Sequence, residues 1–318
     1  MKLTDFVLIF IMIISPFVLV LRIQSDNLQN SAFRNIVVNR YLDAAVEDAS
    51  NAMIIRGDGG KVTISREKAI EAFHTSLFTN FNVLNNEAER NRFAVFVPVI
   101  ALIDYDGYYV CSMEEYLNIS GEKEQKMVWK PKKTYTYERD GYVYIFTLDQ
   151  KVTVYNSVSN EFTVGMRKEL EPVIGEDIIQ DTEIFEQVRK RTIVEALKID
   201  ITEAINLHNA YAVHFGITYC FSPPSISDAD WYKNIEDVGF LAFFQGLPTG
   251  LNGEYYNNFA LGAARIVRKS KYFIQEAQNG LLYYHREQCA ELSEKDKVYD
   301  TREECALKGA FPCPLCTP

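Results

Sequence analysis

The stretch from Phe6 to Leu21, FVLIFIMIISPFVLVL, is an uncharged apolar run interrupted only by Ser15 and Pro16. It restricts the possible folds more than any other feature. An α-helix rises 1.5 Å per residue, so a span of the hydrocarbon core takes roughly 20 apolar residues. The run reaches that length when Leu3 and Ile23 contribute. A buried core helix is rarely so uniformly apolar, and a cleaved export signal needs a small-residue site after its apolar core. The following LVLRIQSDN offers none. Residues 1–24 therefore read as a single-pass transmembrane helix, in which Pro16 is tolerated because neighbouring groups can re-satisfy the freed carbonyl. Lys2 precedes the span while Arg22, Arg34 and Arg40 follow it, so the positive-inside count does not favour a cytoplasmic N-terminus. A short segment before the span and most of the 318 residues after it still suit an anchor with its bulk extracytoplasmic.

Residues 25–60 contain no proline, and glycine enters only at RGDGG, Arg56 to Gly60. Phe33, Ile36, Val37, Tyr41, Ala44, Ala45 and Ala49 recur at spacings of three and four, which predicts an amphipathic helix continuing the anchor. RGDGG is expected to end that helix in a turn. This plan, an apolar N-terminal helix with an acid at Asp5, then an amphipathic helix and strands, resembles that of type IV pilins and Tad-type pilin-like proteins. The resemblance implies packing of the N-terminal helix against neighbouring subunits, with Asp5 as counterpart of the pilin glutamate. No Gly-Phe processing site precedes the run, and a simple membrane tether explains the same residues.

Residues 61–280 read as an α+β globular domain. SREKAIEAFHTSLFTNF places Ile70, Phe73, Leu77 and Phe81 on one helical stripe with Ser65 as N-cap. The period then switches to two, and residues 93–165 are expected to form an antiparallel meander. It has turns at Asp104-Tyr105-Asp106-Gly107 and at Asp140-Gly141. Asp104 and Asp106 read as turn residues, because a calcium loop needs further oxygen ligands at fixed offsets. Residues 183–207 predict a helix with Val194, Leu197, Ile201 and Ala204 on one face. YAVHFGITYCF alternates like a strand carrying His214 and Cys220, and Asn279-Gly280 signals a type I′ hairpin.

Four of the six cysteines fall in the last 30 residues. His285-x₃-Cys289 and Cys313-x₂-Cys316 are two close-set pairs able to present four ligands tetrahedrally to Zn²⁺. The segment between them is too small for a core, so a bound metal would supply much of its folding free energy. Within it, TREECALKGA predicts a short helix from Thr301 to Gly309. The competing arrangement is disulfides, which an exported chain with an even number of cysteines permits. The pairing of Cys111 with Cys220 stays open.

Residues 283–318, YYHREQC through KVYDTREECALKGAFPCPLCTP, resemble the zinc module of Ada-type DNA-alkylation repair proteins. The order of ligands, glycine and prolines carries the likeness, and 281–318 is set apart as that module. The resemblance implies a structural zinc held by His285, Cys289, Cys313 and Cys316. His285 stands where the repair proteins carry their alkyl-accepting cysteine. Imidazole cannot play that thiolate role, so the repair chemistry is not expected. Cys305, at a position the family fills with alanine, reads as a small buried residue.

The net charge of −10 argues against nucleic-acid binding as the main task, although Arg265, Arg268, Lys269 and Lys271 cluster locally. No His-Glu-x-x-His, Gly-x-Ser-x-Gly or phosphate-cradling loop is present. The expected role is thus a non-enzymatic, membrane-anchored structural or assembly protein, possessing a structural zinc and self-associating or meeting partners through its N-terminal helix. The alternatives are a tethered enzyme or sensor with an unrecognised site, and a DNA contact made by the zinc module.

Overall fold

The computed structural model describes residues 3–56, 62–117, 119–121, 123–223, 226–227, 231–232, 235, 237–250, 253–263, 272–277, 280–286, 289, 291–293, 298–299 and 302–316. The chain is α+β and divides into two compact units, Met1–Ala264 and Arg265–Pro318. The expected basic cluster at 265–271, the RGDGG turn from 57 to 60, Asn279 and Thr301 lie outside the described residues.

The first unit is built on one helix, α1 (Leu3–Ala52), which includes Pro16. Its 50 residues correspond to about 75 Å. Burial divides it in two. Val38, Leu42, Ala45, Val46 and Ala49 are buried, whereas Phe10 to Val20, Leu21 and Ile23 are exposed. The buried residues recur at three and four, so an amphipathic half exists; Ala45 and Ala49 of the expected face are buried and Val37, Tyr41 and Ala44 half-buried, but Phe33 and Ile36 fall outside it. Phe33 and Ile36 are 67% and 50% exposed. At 100° per residue they point away from the stripe through Val38, Leu42 and Ala49. The helix ends at Ala52, before the expected turn, because the chain enters strand β1 (Ile54–Arg56), which pairs with β2 (Val62–Ile64).

Next come α2 (Arg66–Asn80) and α3 (Glu87–Ala94). Ser65 caps α2 as expected, its side chain accepting from Lys68 N at 3.2 Å. Ala69, Phe73, Leu77 and Phe78 form the buried stripe. Phe81 packs edge-on against Tyr41 of α1, ring centroids 5.2 Å apart.

Strands β3 (Val99–Asp104), β4 (Gly107–Leu117) and β5 (Lys123–Trp129) join β10 (Gly239–Pro248) and β11 (Tyr255–Ala263). Together they form an antiparallel five-stranded sheet of order β11-β10-β3-β4-β5. Strands β6 (Tyr135–Arg139), β7 (Tyr142–Phe146), β8 (Lys151–Asn156) and β9 (Glu161–Met166) make a separate four-stranded antiparallel sheet. The expected meander is therefore split between two sheets, and the larger takes two strands from far along the chain. Asp140 and Gly141, with φ of 51° and 81°, form the two-residue turn between β6 and β7. Those angles suit the primed turn that strand twist favours.

Helices α4 (Arg167–Leu170), α5 (Asp177–Gln180) and α6 (Thr182–Ala212) follow. Helix α6 buries Val194, Leu197, Ile201 and Ala204 as expected, but it continues five residues past 207. A 3₁₀ turn (Val213–Phe215) and Gly216 at φ 72° close it. Tyr211 to Phe221 are thus not a strand. The extended segment after Gly216 finds its hydrogen-bond partners in side-chain amides. Asn209 exchanges two bonds with the Phe221 backbone (2.7 and 2.8 Å), and Gln245 two with Ser222 (3.2 and 2.8 Å).

Neighbouring tyrosines show how the larger sheet is covered. Side chains alternate along a strand, and Arg66 of α2 lies 4.5 Å over the Tyr109 ring while Tyr108 donates to Asp200 of α6 at 2.9 Å. Helices α1 and α2 thus cover one face and α6 the other. This explains why β3 and β10 are buried almost end to end rather than alternately.

Close docking of α1 depends on Gly262 in β11. Ser50 Oγ donates to Gly262 O at 2.9 Å, and a Cβ at Gly262 would lie 2.3 Å from Ser50 Oγ and 2.9 Å from the Val46 carbonyl. The hydroxyl can rotate, but the backbone carbonyl cannot retreat without moving the helix. Gly262→Val is expected to destabilise the first unit by about 3 kcal/mol, read from denaturant unfolding. An unchanged midpoint would contradict this close approach.

The second unit contains β12 (Tyr272–Glu276), β13 (Leu282–Arg286), β14 (Val298–Tyr299), α7 (Arg302–Leu307) and β15 (Phe311–Pro312). Its sheet order is β14-β12-β13-β15, with β15 parallel to β13. The unit begins earlier than the expected boundary at 281 because β12 is the hydrogen-bonded partner of β13. Ala277 N donates to Leu281 O at 2.8 Å and Gly280 has φ 74°, so three residues connect the last bonded pair instead of the expected two.

Candidate metal centre

The β12–β13 hairpin serves two purposes through its two faces. Residues directly opposite in an antiparallel pair share a face. Tyr272, Ile274, Tyr284 and Leu282 pack on one side around Cys305 and Ala310, forming the small core of the unit. Phe273 with His285, and Gln275 with Tyr283, lie on the other. Cys305 is fully buried within that core and stands outside the ligand cluster, as its alanine-like position suggests. Gly309, at φ 77°, ends α7 as expected, with Ala310 N donating back to Cys305 O at 3.1 Å.

On the side of His285, the side-chain N and S atoms of His285, Cys289, Cys313 and Cys316 that could hold a metal ion all lie within 4.8 Å of one another. His285 and Cys313 are buried, Cys289 and Cys316 half-buried. Each pair is held by backbone. Leu292 N donates to Cys289 O at 3.1 Å, closing the first turn, and Cys313 N donates to Tyr284 O at 3.1 Å, fixing the second beside β13. His285 Nδ1 is 3.3 Å from Cys289 Sγ, and Cys289 Sγ is 3.9 Å from Cys313 Sγ.

These distances discriminate between chemistries. A disulfide needs sulfurs about 2.05 Å apart, and all six cysteines are free. Tetrahedral bonds of about 2.3 Å to sulfur and 2.0–2.1 Å to nitrogen separate two sulfurs by about 3.8 Å and a sulfur–nitrogen pair by about 3.5 Å. These two spacings match that donor geometry to within about 0.3 Å, and the remaining ligand pairs lie within 4.8 Å. Three thiols and an imidazole also form the soft, borderline donor set of tetrahedral zinc centres.

The electrostatics fit the same use. Burial lowers the His285 pKa, partly offset by the Glu291 carboxylate, so the imidazole is held as a neutral lone-pair donor. Burial pushes the Cys289 thiol up to about 11. A backbone hydrogen bond from Glu291 opposes that rise, and the adjacent Cys316 and Cys313 thiols add to it. The Cys289 thiol thus resists ionisation until a cation lies beside it.

Other candidate residues are accounted for by local structure. Asp104 and Asp106 flank the β3–β4 turn, where Lys132 binds both carboxylates, the former at 2.6 Å. His208 is fully buried, its Nε2 2.8 Å from Val95 O, and His214 is exposed in the 3₁₀ turn. A cavity of about 260 Å³ opens between β4 and α6, lined by Tyr108, Val110, Ser112, Asp200 and Glu203 among others. Its Asp200 is already bound by Tyr108 and by Lys133, each at about 2.8–2.9 Å. Sequence spacing did not reveal Gln275 and Glu291, which border the ligand cluster without being part of it.

No family model, curated protein or solved structure matches this chain.

Proposed function

We propose that this protein is a membrane-anchored, non-enzymatic assembly subunit with its bulk extracytoplasmic, comparable to the components of a pilus-like or secretion apparatus. The division of α1 carries this reading. Its second half is built into the sheet through Ser50, Val46 and Gly262, while its first half is apolar on every side. The helix is long and apolar enough to cross a membrane, with 6% of its apolar window buried. A tether alone could be joined by a pliable linker. Here the anchor and the packed helix are one continuous element, so a contact made by the apolar half would orient the globular unit. The architecture of a long N-terminal helix laid on an antiparallel sheet supports the pilin-like comparison, and Asp5 lies on that same helix.

The C-terminal unit is read as a structural zinc module similar to that of Ada-type repair proteins, with His285, Cys289, Cys313 and Cys316 as ligands. Bound zinc would supply a tetrahedral cross-link between the β12–β13 hairpin and the Cys313–Cys316 turn. The donor spacings support this assignment, and His285 at the first ligand position speaks against alkyl transfer.

A photocrosslinking amino acid at Phe17, introduced into the full chain in membranes, tests the assembly reading. Crosslinks to further copies or to helices of partner subunits are expected. A chain that stays uncrosslinked, with the same probe at Ile11 and Val18 also silent, would reduce α1 to a tether.

A further inference from the structure

We propose that Gln275 is the positioning residue of the metal centre, an inference that rests on the zinc reading above. Gln275 lies on β12, on the face shared with His285 and opposite Tyr283. Its amide spans the Cys289 turn. Nε2 donates to Glu291 O at 3.3 Å, and Oε1 accepts from Ser293 N at 2.8 Å and from Ser293 Oγ at 3.2 Å. Glu291 in turn makes the backbone hydrogen bond to the Cys289 sulfur, and its Oε2 lies 3.8 Å from Cys313 Sγ.

This arrangement gives Gln275 a role that an ordinary strand glutamine lacks. Cys313 is tied to β13 through Tyr284 O, and His285 is itself a β13 residue. Cys289 belongs to neither strand. Among the described residues, its turn meets the hairpin through the three bonds of Gln275 and through the 3.3 Å approach of Cys289 Sγ to His285 Nδ1. Both hydrogen-bonding functions of the amide are used, so the side chain fixes the depth of the turn and the direction of the Glu291 N–H. That N–H meets the Cys289 sulfur and helps hold it beside the other three ligand atoms. Outer groups of this kind change metal affinity by roughly 10–100-fold when removed.

The test compares the full chain with its Gln275→Ala, Gln275→Leu and Gln275→Glu variants in detergent. Zinc affinity is measured by competition with a chromogenic chelator, and alkylation of each cysteine by iodoacetamide is followed by mass spectrometry. Gln275→Ala and Gln275→Leu are expected to weaken zinc by at least tenfold and to accelerate alkylation of Cys289 over Cys313 and Cys316. Gln275→Glu keeps the acceptor for Ser293 but loses the donor to Glu291 O, so it is expected to fall between. A general loosening of the unit would instead raise all cysteines together, Cys305 included. Unchanged affinity and an unchanged Cys289 rate would overturn the inference with the zinc reading intact. A wild-type chain that takes up no zinc would overturn both, and the wild-type titration alone identifies that case.

Discussion

Zinc-loaded chain treated with EDTA is expected to lose the fold of the Arg265–Pro318 unit while the Met1–Ala264 unit stays folded. Among the described residues, the core cluster of the second unit is Tyr272, Tyr284, Cys305 and Ala310, with Ile274, Leu282 and Tyr299 packed partly against it and Phe273 buried on the opposite face of the hairpin. Two of its four strands are two residues long. Burial on that scale does not offset the conformational entropy of the ordered chain. Structural zinc in small peptide domains supplies an apparent 10–16 kcal/mol, roughly the deficit that such a unit must meet. The two units can be followed separately, because both tryptophans, Trp129 and Trp231, lie in the first. Tryptophan fluorescence should stay constant, while amide exchange across β12 and β13 accelerates by at least about 100-fold. Thiol counting sharpens the outcome. Loss of metal alone frees Cys289, Cys313 and Cys316, whereas collapse of the core also exposes Cys305. Four newly reactive thiols per released zinc are therefore expected. No zinc released and unchanged exchange would defeat both the metal assignment and this account of the unit's stability.

The Cys/His cluster was legible because it is local. His285-x₃-Cys289 and Cys313-x₂-Cys316 each fit one tight turn, and chemistry restricts what such pairs do. Their outer support was not legible, since Gln275 reaches Glu291 and Ser293 only once β12 pairs with β13. The same limit applies to the sheet. GFLAFFQGLP in β10 is buried along nearly its whole length, and such a run lacks the alternation that marks a strand with one wet face. ITYCF alternates well, yet its neighbours are the amides of Asn209 and Gln245 rather than another strand. On α1, Phe33 and Ile36 are as apolar as Val38 and Leu42. Hydropathy identifies an apolar face, but only the direction of Gly262 and Ser50 determines which stripe meets the sheet. Local chemistry was readable, and long-range register was not.

Acid should weaken the first unit well before its carboxylates titrate, through the buried His208 and the half-buried His74. His208 is fully buried between Val95 and Phe221. Its Nε2 lies 2.8 Å from Val95 O, its ring meets Phe221 edge-on at 4.6 Å, and its Nδ1 has no hydrogen-bond partner among the described residues. The Val95 carbonyl only accepts, so Nε2 carries the proton and Nδ1 is a bare lone pair in an apolar wall. Burial lowers the His208 pKa to about 4, against the opposing effect of the Val95 bond. His74 stacks on Phe78 at 5.3 Å, and burial lowers its pKa to about 4 as well. In the unfolded chain both titrate near 6.5. Between those values the unfolded state binds protons that the folded state refuses, so stability is fully present above pH 6.5 and falls as pH drops toward 4. A shift of this size corresponds to about 3 kcal/mol for His208, and His74 acts in the same direction. Denaturant unfolding between pH 6.5 and 5, followed by tryptophan fluorescence, isolates this window from most carboxylates. His208→Gln keeps a donor for Val95 O but cannot take up the proton. Its absolute stability can move either way, so the slope against pH decides. The variant should lose roughly half of the wild-type slope, up to about 1.4 kcal/mol per pH unit, and His74→Gln much of the remainder. A slope that survives both substitutions would place the acid sensitivity elsewhere in the fold.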